Sequence, residues 1–204
     1  MFDFSSPWQE VLDYWFEDGL ERGWPSTPAT RKWFRATPGD DAEIEHRFGN
    51  LVEAALQQEL VDWERHPLSR LALILVLDQF CRHIHRGTAR AFAGDHRAAT
   101  LSVEGVSRRM QEKLPLCGKV FFLMPLMHAE DEDLQDLCVT QMTTLQEQAD
   151  SCWQENLESS LRSAHQHREI IRRFGRFPHR NQALGRDSTE KELKYLATAS
   201  RMGQ

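Results

Sequence analysis

The segment from Leu68 to Arg86 constrains the fold more than any other part of the chain. It begins Leu-Ser-Arg-Leu-Ala-Leu-Ile-Leu-Val-Leu-Asp-Gln-Phe and holds the longest apolar run, Leu71 to Leu77. Wound as a helix, such a run is apolar on nearly every side, so other elements must cover it all round. It is far short of the ~20 residues needed to cross a bilayer, so no membrane span is expected. The expectation is a central buried helix, with Gly87 placed to stop it.

The covering elements read as helices too. Val, Ile and Thr are sparse, and no alternating run is long enough to read as a strand. Ser6-Pro7-Trp8-Gln9 reads as an N-cap, a proline at the first helical position and a capping-box Gln. Val11, Leu12, Trp15 and Phe16 follow as an apolar stripe, with Gly19, Gly23 and Pro25 as the expected stop. Residues 24–38 read as a loop holding a short helix around Trp33 and Phe34. Asp40 with Glu43 is expected to open a helix along Ile44, Phe48, Leu51, Val52, Ala55, Leu56 and Leu60, broken by His66-Pro67.

Further helices are expected from Asp95, as cap, to about Val106, and over 116–127, where Pro125 should kink or end the helix. Others are expected from Glu130 to about Gln146, from Asp150 to Phe174, and from Asp187, with Glu190, to about Ser200. The total is about eight or nine helices, joined by short loops into antiparallel hairpins. No repeat of about 34 residues stands out. The reading is one all-α domain over 1–204.

The formal net charge is -6, from 25 Lys+Arg against 31 Asp+Glu. That balance disfavours nucleic acid and anionic membranes as partners. The start Met1-Phe-Asp-Phe-Ser-Ser-Pro-Trp lacks the basic and apolar stretches of a secretory signal. Cys81, Cys117, Cys138 and Cys152 show no C-x-x-C spacing and read as buried thiols of a reducing cytoplasm. No zinc or other metal site is expected. There is no H-E-x-x-H, and Glu43 to His46 is a single Glu-x-x-His where a di-iron bundle needs two. No cofactor motif (P-loop or dinucleotide glycine pattern) is present.

Three constellations carry possible chemistry. In 77–90, Asp78, Arg82 and Arg86 are four apart on one helix face, with Arg90 beyond. Arginines beside so apolar a helix need carboxylate or phosphate partners, supplied by the chain itself or by a ligand. In 124–133, His128 stands beside Glu130 and Asp131, a pairing suited to acid–base work or to a solvated helix start. From Arg162 to Arg186 there are seven Arg and three His against Glu169 alone. Within it, Phe174 and Phe177 should anchor a loop that aims Arg176, His179, Arg180 and Asn181 at a neighbour or a ligand.

At these constellations the chain resembles the DUF924 family of uncharacterised bacterial proteins. The likeness rests on Trp15-Phe16, Leu-Asp-Gln-Phe-x-Arg at 77–82 and Arg-Gly-Thr-Ala-Arg-Ala-Phe at 86–92. It continues through Pro-Leu-Met-His-x-Glu-Asp at 125–131 and Arg-Phe-Gly-Arg-Phe-Pro-His-Arg-Asn at 173–181. Family members often have Pro where this chain has Cys81 and Asn where it has His83, which weakens any catalytic claim for Cys81. The resemblance implies a tetratricopeptide-like helical array and no stated activity. The motif residues it maps are Asp78, Arg82, Arg86, Arg90, His128, Glu130, Asp131, His167, Arg176, His179, Arg180 and Asn181.

Three functions stay open. One is a pocket, lined by these residues, for a small anionic molecule or carboxylate. It is open to catalysis, with His128 and His179 as acid–base groups and Glu130 or Asp131 orienting His128. The second is an interaction module that clamps an acidic peptide on a concave helical surface. The third is purely architectural, with the polar motifs satisfying one another.

Overall fold

A computed structural model describes residues 6–26, 32–33 and 36–198, and among these there are helices and no strands. Phe34 and Ser200, named in the expectations above, lie outside the described residues. The chain gathers into two compact units. One comprises Met1–Arg86 with Arg90–Phe122, and the other Gly87–Ala89 with Leu123–Gln204.

In the first unit, helix α1 spans Pro7–Phe16, with Pro7 in its first turn and the Ser6 N–H donating to Gln9 Oε1 at 2.9 Å. It stops before the expected glycine, because Glu17 leaves helical geometry (φ 52°). Gly19 instead opens the one-turn helix α2, Gly19–Arg22. Helix α3 spans Pro38–Leu56. Its cap is Thr37 rather than Asp40, whose carboxylate reaches back to the Thr37 N–H at 2.7 Å. It ends at Leu56, ten residues before His66; a short 3-10 helix, Val61–Arg65, follows.

The apolar segment is helical throughout but not uniform. Helix α4, Pro67–Leu75, passes into a π turn, Val76–Phe80, and then into α5, Cys81–Ile84. The Cys81 N–H reaches Val76 O, five residues back. The wider turn changes which residues face inward, and it leaves Asp78 and Gln79 buried. The helix ends at Ile84 with His85 as its cap, short of the expected stop at Gly87, which sits in the following turn at φ 78°. Helix α6 spans Asp95–Ser107, capped by Gly94 with Asp95 as its first residue.

The first unit's core is aromatic. Trp15, Phe16, Phe48, Phe80 and Phe121 are fully buried. Trp15 meets Phe80 and Phe121 edge-on at 5.5 and 5.6 Å. Each such side chain contributes about 1.5–3 kcal/mol by burial, with more from the ring geometry. Arg70 is also buried, a feature the sequence did not signal. Its guanidinium donates to Glu64 O at 2.8 Å and Leu101 O at 2.9 Å.

Helix α7 spans Leu116–His128 and runs through Pro125 rather than ending there. Carbonyls of the turn before the proline are taken up by side chains. Ser102 Oγ donates to Phe122 O at 2.7 Å, and Cys138 Sγ lies 3.8 Å from Leu123 O.

The second unit is built on an antiparallel hairpin. Helix α8, Glu132–Gln148, is capped by Asp131, whose Oδ1 accepts from the Leu134 N–H at 3.0 Å. After a 3-10 turn at Ser151–Trp153, helix α9 spans Gln154–Phe174. Arg172 near the end of α9 pairs with Glu132 and Asp136 at the start of α8. Gln154, at the other end, donates to Gln146 O and Ala149 O. Gly175, at φ 69°, ends α9. A 3-10 turn, Pro178–Arg180, leads to helix α10, Glu190–Leu196. The cap of α10 is Thr189 with Glu192, two residues beyond the expected Asp187 and Glu190. Ile170, Ile171 and Phe177 form a small core here, flanked by Phe174 and Tyr195.

Candidate functional site

The structure places the first constellation in the first unit and the other two in the second. In the first unit each named arginine has a carboxylate. Arg82 makes two parallel bonds to Asp95, at 2.7 and 3.0 Å, and lies 3.3 Å from Asp78. Asp78 is buried and accepts from Gln79. Arg86 donates to both oxygens of Asp41 at 2.8 and 2.9 Å, and the His83 Nδ1–H donates to the same carboxylate at 2.8 Å. Burial alone would raise the Asp41 carboxyl, but the bonds from Arg86 and His83 outweigh it and hold the group below its ordinary value. Arg90 pairs with Glu53.

Sequence spacing predicted only the Asp78–Arg82 pair. Asp95 was read as a cap. Asp41 lies 42 residues from His83 and 45 from Arg86. No local pattern marks such a partner.

In the second unit the His128–Asp131 and Phe174–Asn181 motifs do meet. Glu130 Oε1 accepts from the Phe177 N–H at 2.8 Å, and Arg186 grips both Glu130 oxygens at 2.6 and 2.8 Å. Burial pushes the Glu130 carboxyl up, but the Arg186 bonds and the Phe177 N–H bring it below its usual range. Arg180 Nη2 donates to His128 O at 2.9 Å, and its guanidinium lies 4.6 Å from the Phe177 ring centre. Asn181 is buried, accepting from Arg186 Nε at 3.1 Å and donating to Ser188 Oγ at 3.0 Å.

Arg176 forks onto Glu192 at 2.7 and 2.9 Å. The Arg176 bonds bring the buried Glu192 carboxyl to about 2, with help from Thr189. Glu130 is thus held by Arg186 and the Phe177 N–H, and Asp131 by its helix cap, rather than at the expected place beside the His128 ring.

Two imidazoles flank the buried Phe177, and a third lies next to one of them. His167, from α9, has its ring centre 5.5 Å from Phe177 and 6.1 Å from His128, at the end of α7. His179, from the 3-10 turn, lies 5.4 Å from Phe177. The His167 Nδ1–H donates to Ser163 O, one turn earlier on its own helix, at 2.8 Å. Burial lowers the His167 imidazole to about 3, and nearby His128, His179 and Arg180 add to the shift. His167 is therefore neutral at physiological pH. Gln135, fully buried, donates to Met127 O at 2.6 Å and Ala129 O at 2.8 Å, steadying the backbone on either side of His128.

Sequence reasoning passed over Gln135 and Arg186 as site residues, and Glu192 as well. Only Glu192 carried a local signal, the Thr-x-x-Glu box at 189–192. Among the described residues no group of three or more His, Cys, Asp or Glu side chains is placed to hold a metal ion. No helix among them is long and apolar enough to cross a membrane.

The family described as "Bacterial protein of unknown function (DUF924)" matches residues 11–200. A solved structure from Agrobacterium tumefaciens, described as a protein of unknown function, is similar at 33% identity. The match covers 94% of this chain and 97% of that one, with a TM-score of 0.78. Among curated proteins nothing matches the chain.

Proposed function

As this chain belongs to the DUF924 family, whose description states no activity, we propose from the geometry of its second unit that it binds a small anion at the cluster of His128, His167, His179 and Arg180. One observation carries this reading. Imidazoles from two separate elements, His167 and His179, and the Arg180 guanidinium flank one buried ring, Phe177, and a third imidazole, His128 on α7, lies 6.1 Å from His167. The Arg180 guanidinium beside these rings favours an anion, while Arg176 and Arg186 are matched by Glu192 and Glu130. His128 and His179 are each half-buried, so both can be reached from solvent. They are the acid–base candidates if the bound molecule is turned over.

For Asp78, Arg82, Arg86 and Arg90 the geometry favours the architectural reading, because Asp95, Asp41 and Glu53 already occupy the three guanidiniums. Free, buried thiols at Cys81, Cys117 and Cys138 support a reducing compartment.

The test is a titration of the full chain with acetate, citrate and phosphate at constant ionic strength, followed through the histidine NMR signals. Saturable shifts at His128 and His179 are expected with at least one anion, weakened about tenfold or more in Arg180→Ala. His179→Gln, which leaves Arg180 in place, is measured alongside in case Arg180→Ala does not fold. The reading fails if no anion gives a saturable shift, or if both variants bind as wild type does.

A further inference from the structure

The cluster contains one group that a plain anion would not satisfy. The His167 Nδ1 faces the carbonyl of Ser163 at 2.8 Å. A carbonyl oxygen only accepts, so Nδ1 carries the hydrogen. A neutral imidazole protonated at Nδ1 has its lone pair on Nε2, and Nε2 can then only accept. The ring's Nδ1 edge turns back along α9, so Nε2 lies on the opposite edge. Among the described residues, none donates a hydrogen bond to Nε2. The groups closest to this ring in charge terms are His128, His179 and Arg180, all of them able to carry positive charge. The site therefore combines positive potential with one fixed acceptor.

Resting on the anion-binding reading above, we propose that the ligand is hydrogen phosphate, whose P–OH donates to His167 Nε2 while the neighbouring cationic groups hold its negative oxygens. Sulfate has the same shape and charge range but no O–H at neutral pH, so it would set an oxygen lone pair against the Nε2 lone pair. An unmade bond at a site of this kind is worth a large factor in selectivity, because the rejected ligand leaves a polar group unpaired. A phosphate monoester loses its last P–OH near pH ~6. At neutral pH it resembles sulfate in this respect, so the geometry favours the free ion over the ester.

The experiment uses the full chain labelled with nitrogen-15 and reads the imidazole nitrogens directly. In the free protein, His167 Nδ1 should appear as a protonated nitrogen and Nε2 as an unprotonated one. Inorganic phosphate, sulfate and methyl phosphate are then titrated at neutral pH and matched ionic strength. Phosphate should bind about tenfold or more tightly than sulfate or methyl phosphate, and should shift Nε2. In His167→Phe, which keeps a ring against Phe177, phosphate and sulfate should bind alike. A proton on Nε2 in the free protein overturns the proposal without any binding data. Equal affinity for phosphate and sulfate, with His128 and His179 still shifting, overturns it while leaving the anion site intact. Methyl phosphate binding as tightly as inorganic phosphate at neutral pH also overturns it. If no ion perturbs any of the three imidazoles, both readings fall together.

Discussion

Replacing Glu130 with glutamine tests the contact that joins the two motifs of the second unit. Glu130 accepts three hydrogen bonds, two from the Arg186 fork and one from the Phe177 N–H. Glutamine can still accept from Phe177, but it loses the charge facing Arg186 and turns an amide N–H₂ toward a donor. Exposed ion pairs contribute about 0–1 kcal/mol. Breaking a fully buried pair from one side costs about 3–5 kcal/mol. Both side chains here keep 24% exposure, so the pair falls between these limits. A loss of ~2 kcal/mol is expected, roughly thirtyfold in the local opening equilibrium.

Amide hydrogen exchange is the suitable assay, because the Phe177 N–H itself donates to Glu130. Phe177 should exchange faster in Glu130→Gln, and the effect should be smaller when Arg186→Met is already present. The double-mutant cycle should return a coupling of about 1–2 kcal/mol. The acid response follows in sign. The folded Glu130 carboxyl is depressed, so its contribution is complete above the unfolded value and is lost as pH falls through the folded one. Unchanged Phe177 exchange, or a coupling under about 0.5 kcal/mol, would refute the clamp.

Two further outcomes are expected. Gly94→Ala should destabilise the first unit by about 2–3 kcal/mol, since an added Cβ would meet Leu77 O at 2.3 Å and both sides of the contact are backbone. The φ of -87° and ψ of -11° at Gly94 suit any residue, so a urea melt showing unchanged stability would contradict the close approach. Burial raises the thiols of Cys81 to about 11 and of Cys117 and Cys138 to about 12, whereas Cys152 is exposed. Alkylation of the native protein at mildly alkaline pH should therefore add one group, at Cys152, as read by peptide mass spectrometry. Fast modification of all four would mean that the buried thiols are open to solvent.

Much of the helical layout was legible in the chain alone, because it follows from short-range physics. Apolar spacing placed Ile44, Phe48, Val52 and Ala55 on one buried face, and Ser6-Pro7 and Gly175 marked helix ends through local backbone preferences. Boundaries slipped where a neighbouring residue competed for the same role, as Thr37 did with Asp40 and Thr189 with Asp187. Pro125 does not end its helix, which was one of the two outcomes its residue type allows. The π turn at Val76–Phe80 has no marker in its own composition, since one wider turn alters facing and not residue type.

For the candidate site, the sequence supplied the right residue types and left their partners undetermined. Charge and spacing brought forward Arg82, Arg86, Arg90, Arg176 and Arg180 together. Only the tertiary structure separated those that meet Asp95, Asp41, Glu53 and Glu192 from Arg180, which donates to the His128 carbonyl and lies against Phe177. The reason is physical. A guanidinium's need for an acceptor is a property of the residue, but which acceptor it meets depends on segments tens of residues away, and folding alone brings those within 3 Å.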